Sequence, residues 1–379
     1  MSAAPRGPRL NLAFFRSADG IPYVLVPLIP LAIVLDIAGA SAIAIFFVSA
    51  GGVIPTAALM GRATEELAHR SGPGIGGLLN VTFGNAPELI IALFALGKGL
   101  HEVVKASLVG SILGNILLVL GAAMVVGGIG RERQLFNRTA ASAQSSMLLL
   151  AGAALTMPAV FQLVSHGGLP SPHAEIRDFG SRVEHLSLAV AILMMLGYFA
   201  GLVFSLRTHR DLFNPEPEPA EEEQEEPWTV RRSVTMLALA GIAVGVMSEI
   251  LVGSIHHAAQ SAGLSEFFIG AVVVAIVGNA AEHWVAVLVA KKDQMDLAVN
   301  IAIGSSAQIA LFVVPVLVLT SFVLGPSPMP FVLNGFELAA ILIAITIANQ
   351  VTQEGESNWH EGILLLSVYA VFALAFAFA

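Results

Sequence analysis

The sequence predicts an all-α polytopic membrane protein with eleven transmembrane helices, and three observations lead to this fold class. Hydrophobic residues make up 56% of the 379 positions and charged residues only 12%, with a mean hydropathy of +0.81. A soluble domain carries about twice that share of charge. The apolar residues fall in blocks of about 20 residues, the length at which a helix crosses a bilayer. One short motif with a glutamate occurs twice, each time inside such a block.

Charged residues and joints rich in Gly or Pro divide the chain into these helices. The first is predicted to be an N-terminal anchor within residues 1–39, because residues 1–20 hold three arginines but no short apolar region that ends at a small-residue cleavage site. The predicted helices span about residues 21–39, 40–64, 74–98, 103–129, 139–165, 184–206, 233–257, 266–290, 296–323, 331–350 and 360–378.

The basic residues predict the orientation of the helices. If the N-terminus is cytoplasmic, only Lys98, Lys105, Arg177 and Arg182 of the 18 lysines and arginines fall on the outer side. Cytoplasmic loops of membrane proteins carry an excess of Lys and Arg. We therefore expect an integral membrane protein whose N-terminus is cytoplasmic.

An acidic, proline-rich segment divides the chain. Residues 214–232 are predicted to be a cytoplasmic linker, since like-charge blocks are usually solvated. Five helices precede it after the anchor, in residues 40–213, and five follow it, in residues 233–379. Because five crossings end on the opposite face, the second set inserts upside down. This is the inverted-repeat architecture of secondary transporters.

The two glutamate motifs support this division. They are Gly84-Asn85-Ala86-Pro87-Glu88 and Gly278-Asn279-Ala280-Ala281-Glu282, and both 278 − 84 and 282 − 88 equal 194. The same offset relates Gly110-Ser111 to Gly304-Ser305 in the helices that follow. Matched motifs in two halves of a membrane protein indicate a duplicated transporter site at the interface of the repeats.

Each motif offers oxygen ligands inside the membrane. A glutamate in hydrocarbon needs a partner, a water-filled cavity or a function, and opposite insertion lets Glu88 and Glu282 meet. Ca2+ accepts about six to eight oxygen ligands, whereas Mg2+ needs a tighter octahedron. Zn2+ favours nitrogen or sulfur ligands, and the chain has no cysteine to supply sulfur as a thiolate. The predicted ion-binding and proton-exchange residues are Glu88, Glu282, Asn85, Asn279, Gly84 and Gly278, with the two glutamates as metal ligands.

Six further polar residues are candidates for lining or gating the cavity, namely His283, Glu249, Asn115, Ser305, Gln308 and Gln144. Each has an alternative role. Asn115 and Gln308 could equally join helices through polar contacts, and Ser305 could allow close helix packing. His283 either relays a proton or packs beside the site. Glu249 either lines the access path or reaches water at a helix end.

The motifs and the segments that follow them resemble a known family. The segments Leu78–Ile90, Val277–His283, Met295–Leu297 and Ile303–Ala310, together with Lys292, closely resemble the cation/proton exchanger branch of the calcium/cation antiporter superfamily. The resemblance covers predicted helices two to eleven. It implies eleven helices, an acidic segment between the halves, and exchange of cytosolic Ca2+ for protons through Glu88 and Glu282.

The two halves are not expected to be equivalent. Pro87 has no amide hydrogen and clashes with the carbonyl four residues back, so the first motif helix should loosen at Phe83 and Gly84. The family often has a proline three residues before the glycine of the second motif, where this chain has Ala275. We therefore expect the second motif helix to be less kinked than that of the family.

The electrostatics of the glutamate pair predict antiport. Two close carboxylates in a low-dielectric site cannot both stay ionised and unpaired, so one Ca2+ or two protons neutralise them and the cations compete. We therefore predict an antiporter in the inner or plasma membrane of a prokaryote, exchanging Ca2+ and H+ by alternating access. It is not an enzyme, and it needs a lipid bilayer but no cofactor and no nucleic acid.

Several alternatives stay open at this point. Sodium- or potassium-coupled Ca2+ exchange, another cation/proton exchange and a cation channel are alternative functions. The acidic linker is either a plain spacer or a cytosolic Ca2+ sensor. The sequence is compatible with a homo-oligomer but specifies no oligomeric state.

Overall fold

The apolar segments form eleven helices in the computed structural model, which describes residues 18–172, 180–208 and 228–379. A 3-10 turn, Ala18–Leu25, precedes the first helix. The helices are α1 Leu28–Ile37, α2 Ala42–Phe83, α3 Ala86–Gly97, α4 His101–Gly128, α5 Arg138–His166, α6 Ser181–Val203, α7 Val230–Ala262, α8 Glu266–Lys291, α9 Met295–Thr320, α10 Gly335–Thr352 and α11 Trp359–Phe378.

The predicted all-helical membrane fold with eleven helices is confirmed. Within the described ranges, ten spans are long and apolar enough to cross a membrane, and α3 is shorter, with 12 residues. Residues 214–227 of the predicted linker lie outside the described residues, and α7 already begins at Val230. The division into residues 40–213 and 233–379 stays a prediction.

The second and third helices are divided differently from the prediction. Separate helices over 40–64 and 74–98 are wrong, because α2 continues to Phe83 and the chain breaks at Gly84 and Asn85. A straight helix would separate Ala68 and Gly76 by about 12 Å along its axis, yet a β-carbon on Gly76 would overlap the carbonyl oxygen of Ala68. The helix therefore bends sharply where the expected joint lies, without ending there.

The core forms around two central helices. In both α4 and α9, 78% of the apolar 18-residue stretch is buried inside the protein, a larger share than in the other spans of the described residues. They begin at residues 101 and 295, which are 194 positions apart. Around them, α2 packs along α7, and α8 packs against α2, α3 and α4. The helices that carry the duplicated motifs thus lie beside the two most enclosed helices.

The contact between α4 and α8 depends on glycine. A β-carbon on Gly110 would overlap the carbonyl oxygen of Ala271, and one on Gly270 would lie 2.9 Å from the carbonyl oxygen of Val103. Only glycine allows two backbones to approach this closely. The spacing of these two helices is therefore determined by the absence of side chains at two positions.

Four π-helical segments interrupt the inner helices. They are Gly114–Val119 in α4, Ile269–Val274 in α8, and Asn300–Gly304 and Ile309–Val313 in α9. The segments that begin at Gly114 and Ile309 overlap at the offset of 194. Such segments are frequent at functional sites because they turn side chains away from regular helical positions. Here they flank the polar residues of both central helices.

Two short strands join the connections at one end of the bundle. β1, Gln134–Leu135, pairs antiparallel with β2, Glu356–Ser357. Arg133 reinforces the pair through its guanidinium, which lies 3.0 Å from Glu356 Oε2. The α4–α5 connection is thereby attached to the α10–α11 connection.

Candidate ion-binding site

The first motif lies at the break between α2 and α3. Pro87 occupies the first turn of α3, where its missing amide hydrogen costs nothing. Asn85 leaves helical geometry at φ −95° and ψ 19°, and its carbonyl accepts from Leu89 N over 3.1 Å. Glu88 is buried in the first turn of α3, where the helix dipole favours a negative charge. The loosening expected at Phe83 and Gly84 is present in the structure.

The second motif lies inside one α-helical stretch of α8, Ala275–Lys291, which directly follows the π segment Ile269–Val274. The helix therefore does not end at Ala275, where the family often has a proline. Asn279 is fully buried, whereas Glu282 is half-buried. The two motifs therefore carry the same asparagine and glutamate side chains on backbones of different conformation.

The structure brings the two predicted carboxylates together. A β-carbon on Gly278 would lie 3.4 Å from Glu88 Cγ, so the glycine of one motif packs against the glutamate of the other. Glu88 and Glu282 are close enough to interact electrostatically. Two like charges at this proximity in a low-dielectric environment repel strongly unless a cation or protons neutralise them.

Ser305 and Gln308 connect the two motifs. Ser305 Oγ lies 2.7 Å from Glu282 Oε2 and 3.1 Å from Asn85 Oδ1. The other end of the Asn85 amide, Nδ2, donates to Gln308 Oε1 over 2.7 Å. One turn of α9, between two π segments, thus holds the asparagine of one motif and the glutamate of the other.

The corresponding contact in the other half involves Ser111. Asn279 Nδ2 donates to Ser111 Oγ over 2.9 Å and to the carbonyl oxygen of Ala275, also over 2.9 Å. Ser111 and Ser305 are related by the offset of 194, as are the two asparagines. Ser111 was not among the predicted site residues, and its repeat relation to Ser305 is the signal that links it to the site.

Two buried oxygens at the site make no hydrogen bond within the described residues, Glu88 Oε2 and Asn279 Oδ1. Leaving a buried acceptor unsatisfied costs about 1–3 kcal/mol. Both are oxygen donors of the kind that hard cations prefer. The arrangement can therefore bind a cation that supplies the missing contacts.

The sequence of the chain matches one family of membrane transporters over both halves. The model of the family described as sodium/calcium exchanger protein matches residues 41–207 and 232–378. The chain belongs to this family. It is therefore a transporter and not an enzyme, as the motifs predicted.

Similar proteins and structures support this membership. A Ca(2+)/H(+) antiporter of Synechocystis sp. is 43% identical over 371 residues, which cover 94% of this exchanger and 96% of that relative. The Ca(2+)/H(+) antiporter ChaA of Bacillus subtilis is 43% identical over 351 residues, covering 92% and 96% of the two chains. The structure of native YfkE superposes with a TM-score of 0.78 at 38% identity, over 94% of this exchanger and all of that chain (100%).

His283 and Asn115 form a second polar contact of the exchanger beside the glutamates. The Nε2 of His283 lies 3.1 Å from Asn115 Oδ1. Because an amide oxygen only accepts, the imidazole is the donor. Asn115 lies in the π segment of α4, so this contact joins α8 to α4. His283 therefore faces a helix contact and not Glu282.

The two other candidates contact residues outside the two motifs. Gln144 donates to Asn300 Oδ1 and lies beside Gly304 at the start of the polar turn of α9. Asn300 was missed by sequence reasoning, although it precedes Gly304 by one helical turn. Glu249 is exposed, and its backbone carbonyl lies 3.4 Å from Lys98 Nζ. Its side chain is not among the groups that the structure brings to the site.

Glu65 is an additional acidic residue near the site. It is exposed on α2 and lies within electrostatic reach of Glu282. A negative potential of this kind raises the local concentration of cations.

Proposed function

We propose that this exchanger moves Ca2+ out of the cytosol in exchange for protons, by alternating access. The observation that carries the proposal is the meeting of Glu88 and Glu282 from two related motifs, with buried oxygens left open beside them. The relatives named as Ca(2+)/H(+) antiporters, each 43% identical over nearly the whole chain, support the same ions.

Ca2+ suits the chemistry of these side chains. Glu88, Glu282 and Asn279 supply carboxylate and amide oxygens, and Ca2+ tolerates a large and irregular oxygen shell. Asn85 adds a further amide oxygen. The hydroxyl groups at the site belong to Ser111 and Ser305, one from each half. In this proposal the two glutamates are the metal ligands and Gly84 and Gly278 allow the close backbone approach.

Protons compete with Ca2+ for the same two carboxylates. One Ca2+ or two protons give the pair the same charge, and either removes the repulsion between them. The empty, doubly ionised pair is costly to bury, so the site changes sides only when it is loaded. Exchange of two protons for one Ca2+ is then electroneutral.

The surroundings of the site follow from the same proposal. Residues 40–213 and 233–379 act as two inverted repeats, supported by the offset of 194 that relates Asn85 to Asn279 and Ser111 to Ser305. The excess of basic residues supports a cytoplasmic N-terminus, and the bacterial relatives support a location in the plasma membrane. All groups that the mechanism uses come from one chain, so it does not require a homo-oligomer.

The test is Ca2+ uptake into inside-out vesicles with an imposed acid interior. Wild-type protein should take up Ca2+, whereas Glu88→Gln and Glu282→Gln should fall to the background of vesicles without the protein. The exposed Glu249→Gln is the matched control and should keep wild-type uptake. If either motif variant keeps proton-coupled uptake, the shared site is wrong.

The same vesicles distinguish the alternative functions. A sodium gradient in place of the pH gradient should not drive uptake. Uptake driven by sodium alone would indicate sodium-coupled exchange. Ca2+ flux with no counter-ion movement would indicate a channel.

A further inference from the structure

Besides the repeat-related serines Ser305 and Ser111, the two asparagines of the motifs have different partners. Asn279 Nδ2 donates to the carbonyl of Ala275, four residues earlier in α8, over 2.9 Å. The carbonyl four residues before Asn85 belongs to Val81, but α2 ends at Phe83 and Asn85 has left helical geometry. Asn85 therefore lies beyond the break and donates to a side chain of another helix.

Gln308 provides that acceptor. Its Oε1 lies 2.7 Å from Asn85 Nδ2, and the residues are 223 positions apart in the sequence. At the offset of 194, the residue that corresponds to Gln308 in the other half is Gly114, which has no side chain. Within the described residues, this contact between two side-chain amides is therefore present in the half whose motif helix is broken and absent from the other half.

The contact with Gln308 uses the nitrogen end of the Asn85 amide. With Nδ2 bonded to Gln308, Oδ1 points to Ser305, which lies 3.1 Å from it and also contacts Glu282. Asn85 is only 1% exposed, so bulk solvent does not reach either end of its amide. If the amide turned over, an NH2 group would face the site, and such a group repels a cation.

We propose that Gln308 is a positioning residue that keeps the oxygen of Asn85 turned toward the transported cation. It replaces the backbone acceptor that the broken helix removes, and it acts through Asn85 without itself being required as a ligand. The inference rests on the proposed function, because it assumes that the cation binds between the two motifs.

A double-mutant cycle tests the proposal, with equilibrium 45Ca2+ binding to purified full-length protein as the readout. Gln308→Leu should raise the dissociation constant for Ca2+ about tenfold, because the amide is then free to turn over. Gln308→Glu, an acceptor only, should keep binding within about twofold of wild type or tighten it. Gln353→Leu makes the same change at an exposed site and should leave binding unchanged.

The decisive comparison uses Asn85→Asp, whose two side-chain oxygens make orientation irrelevant. In that background, Gln308→Leu should change Ca2+ binding by less than about twofold. If the full tenfold loss persists, Gln308 acts as a direct ligand or through packing, and the proposal is overturned. Gel filtration of each variant checks folding, and Gln308→Met gives a second variant without a good acceptor.

Failure of this proposal is distinguishable from failure of the proposed function. Wild-type protein that binds no Ca2+, or exchanges none for protons in vesicles, would overturn the proposed function. Wild-type protein that exchanges both ions while the cycle shows independent effects would overturn only the role of Gln308.

Discussion

Lys105 Nζ donates to the backbone carbonyl of Val332 over 3.2 Å, so α4 is bonded directly to the segment that leads into α10. The same ammonium forms an ion pair with Glu102, and Lys105 is 1% exposed. Glu337, fully buried in the capping box of α10, lies within electrostatic reach of both charges. The end of the bundle where α4 begins thus contains a buried charge cluster apart from the motif glutamates.

Replacing the ammonium in this cluster should destabilise the protein strongly. Lys105→Met removes the cation of the buried pair from beside Glu102, and breaking a buried pair in this way costs about 3–5 kcal/mol. The temperature of thermal unfolding in detergent should therefore fall strongly. The exposed Lys98→Met should change stability little. Partial recovery in Lys105→Met with Glu102→Gln is expected, and its absence would show that the charge is not the cause.

The glycine contact between α4 and α8 should not tolerate a methyl group. Gly110→Ala places its β-carbon on the carbonyl of Ala271, so the helices must separate, and overpacking of this kind costs about 1–3 kcal/mol or more. We expect lower thermal stability and reduced transport. Gly197→Ala is the matched control, because nothing lies within 4 Å of the added carbon. Equal effects of the two variants would contradict the packing argument.

The two motifs should respond oppositely to proline exchange. Ala281→Pro removes an amide inside the continuous α8 and clashes with the carbonyl of Val277, which costs about 3 kcal/mol. Pro87→Ala should not lower stability, because the residue lies in the first turn of α3. It should instead reduce Ca2+ uptake, since the break that orients Asn85 is no longer imposed. Similar unfolding temperatures for both variants would contradict this asymmetry.

His283 should act through its contact with Asn115 and not by carrying protons. His283→Gln keeps an NH donor for the amide oxygen, and we expect transport within about threefold of wild type with an unchanged number of protons per Ca2+. His283→Leu introduces the residue found at the corresponding position of the first half, Leu89. This variant loses the NH donor and should transport less. Simultaneous Ca2+ and pH recordings in proteoliposomes measure both quantities. A changed proton count in the glutamine variant would support a relay.

Local features of the chain were predictable from the sequence. The length of the apolar blocks predicts the spans, because a bilayer imposes one thickness on every helix. The loosening at Phe83 and Gly84 follows from Pro87, since the effect of a proline depends on backbone groups within four residues. The predicted boundary between helices two and three was wrong, because α2 bends there without ending.

Contacts between distant parts of the chain required the tertiary structure. The sequence by itself determined the membrane class and the duplicated motifs, since composition and a constant offset carry that information. Only the packing of α4, α8 and α9 decided that Gln308 holds Asn85, that His283 meets Asn115 and that Glu249 stays exposed. The physical reason is that a polar side chain can bond to any donor or acceptor within about 3 Å, and helix packing alone selects which one is there.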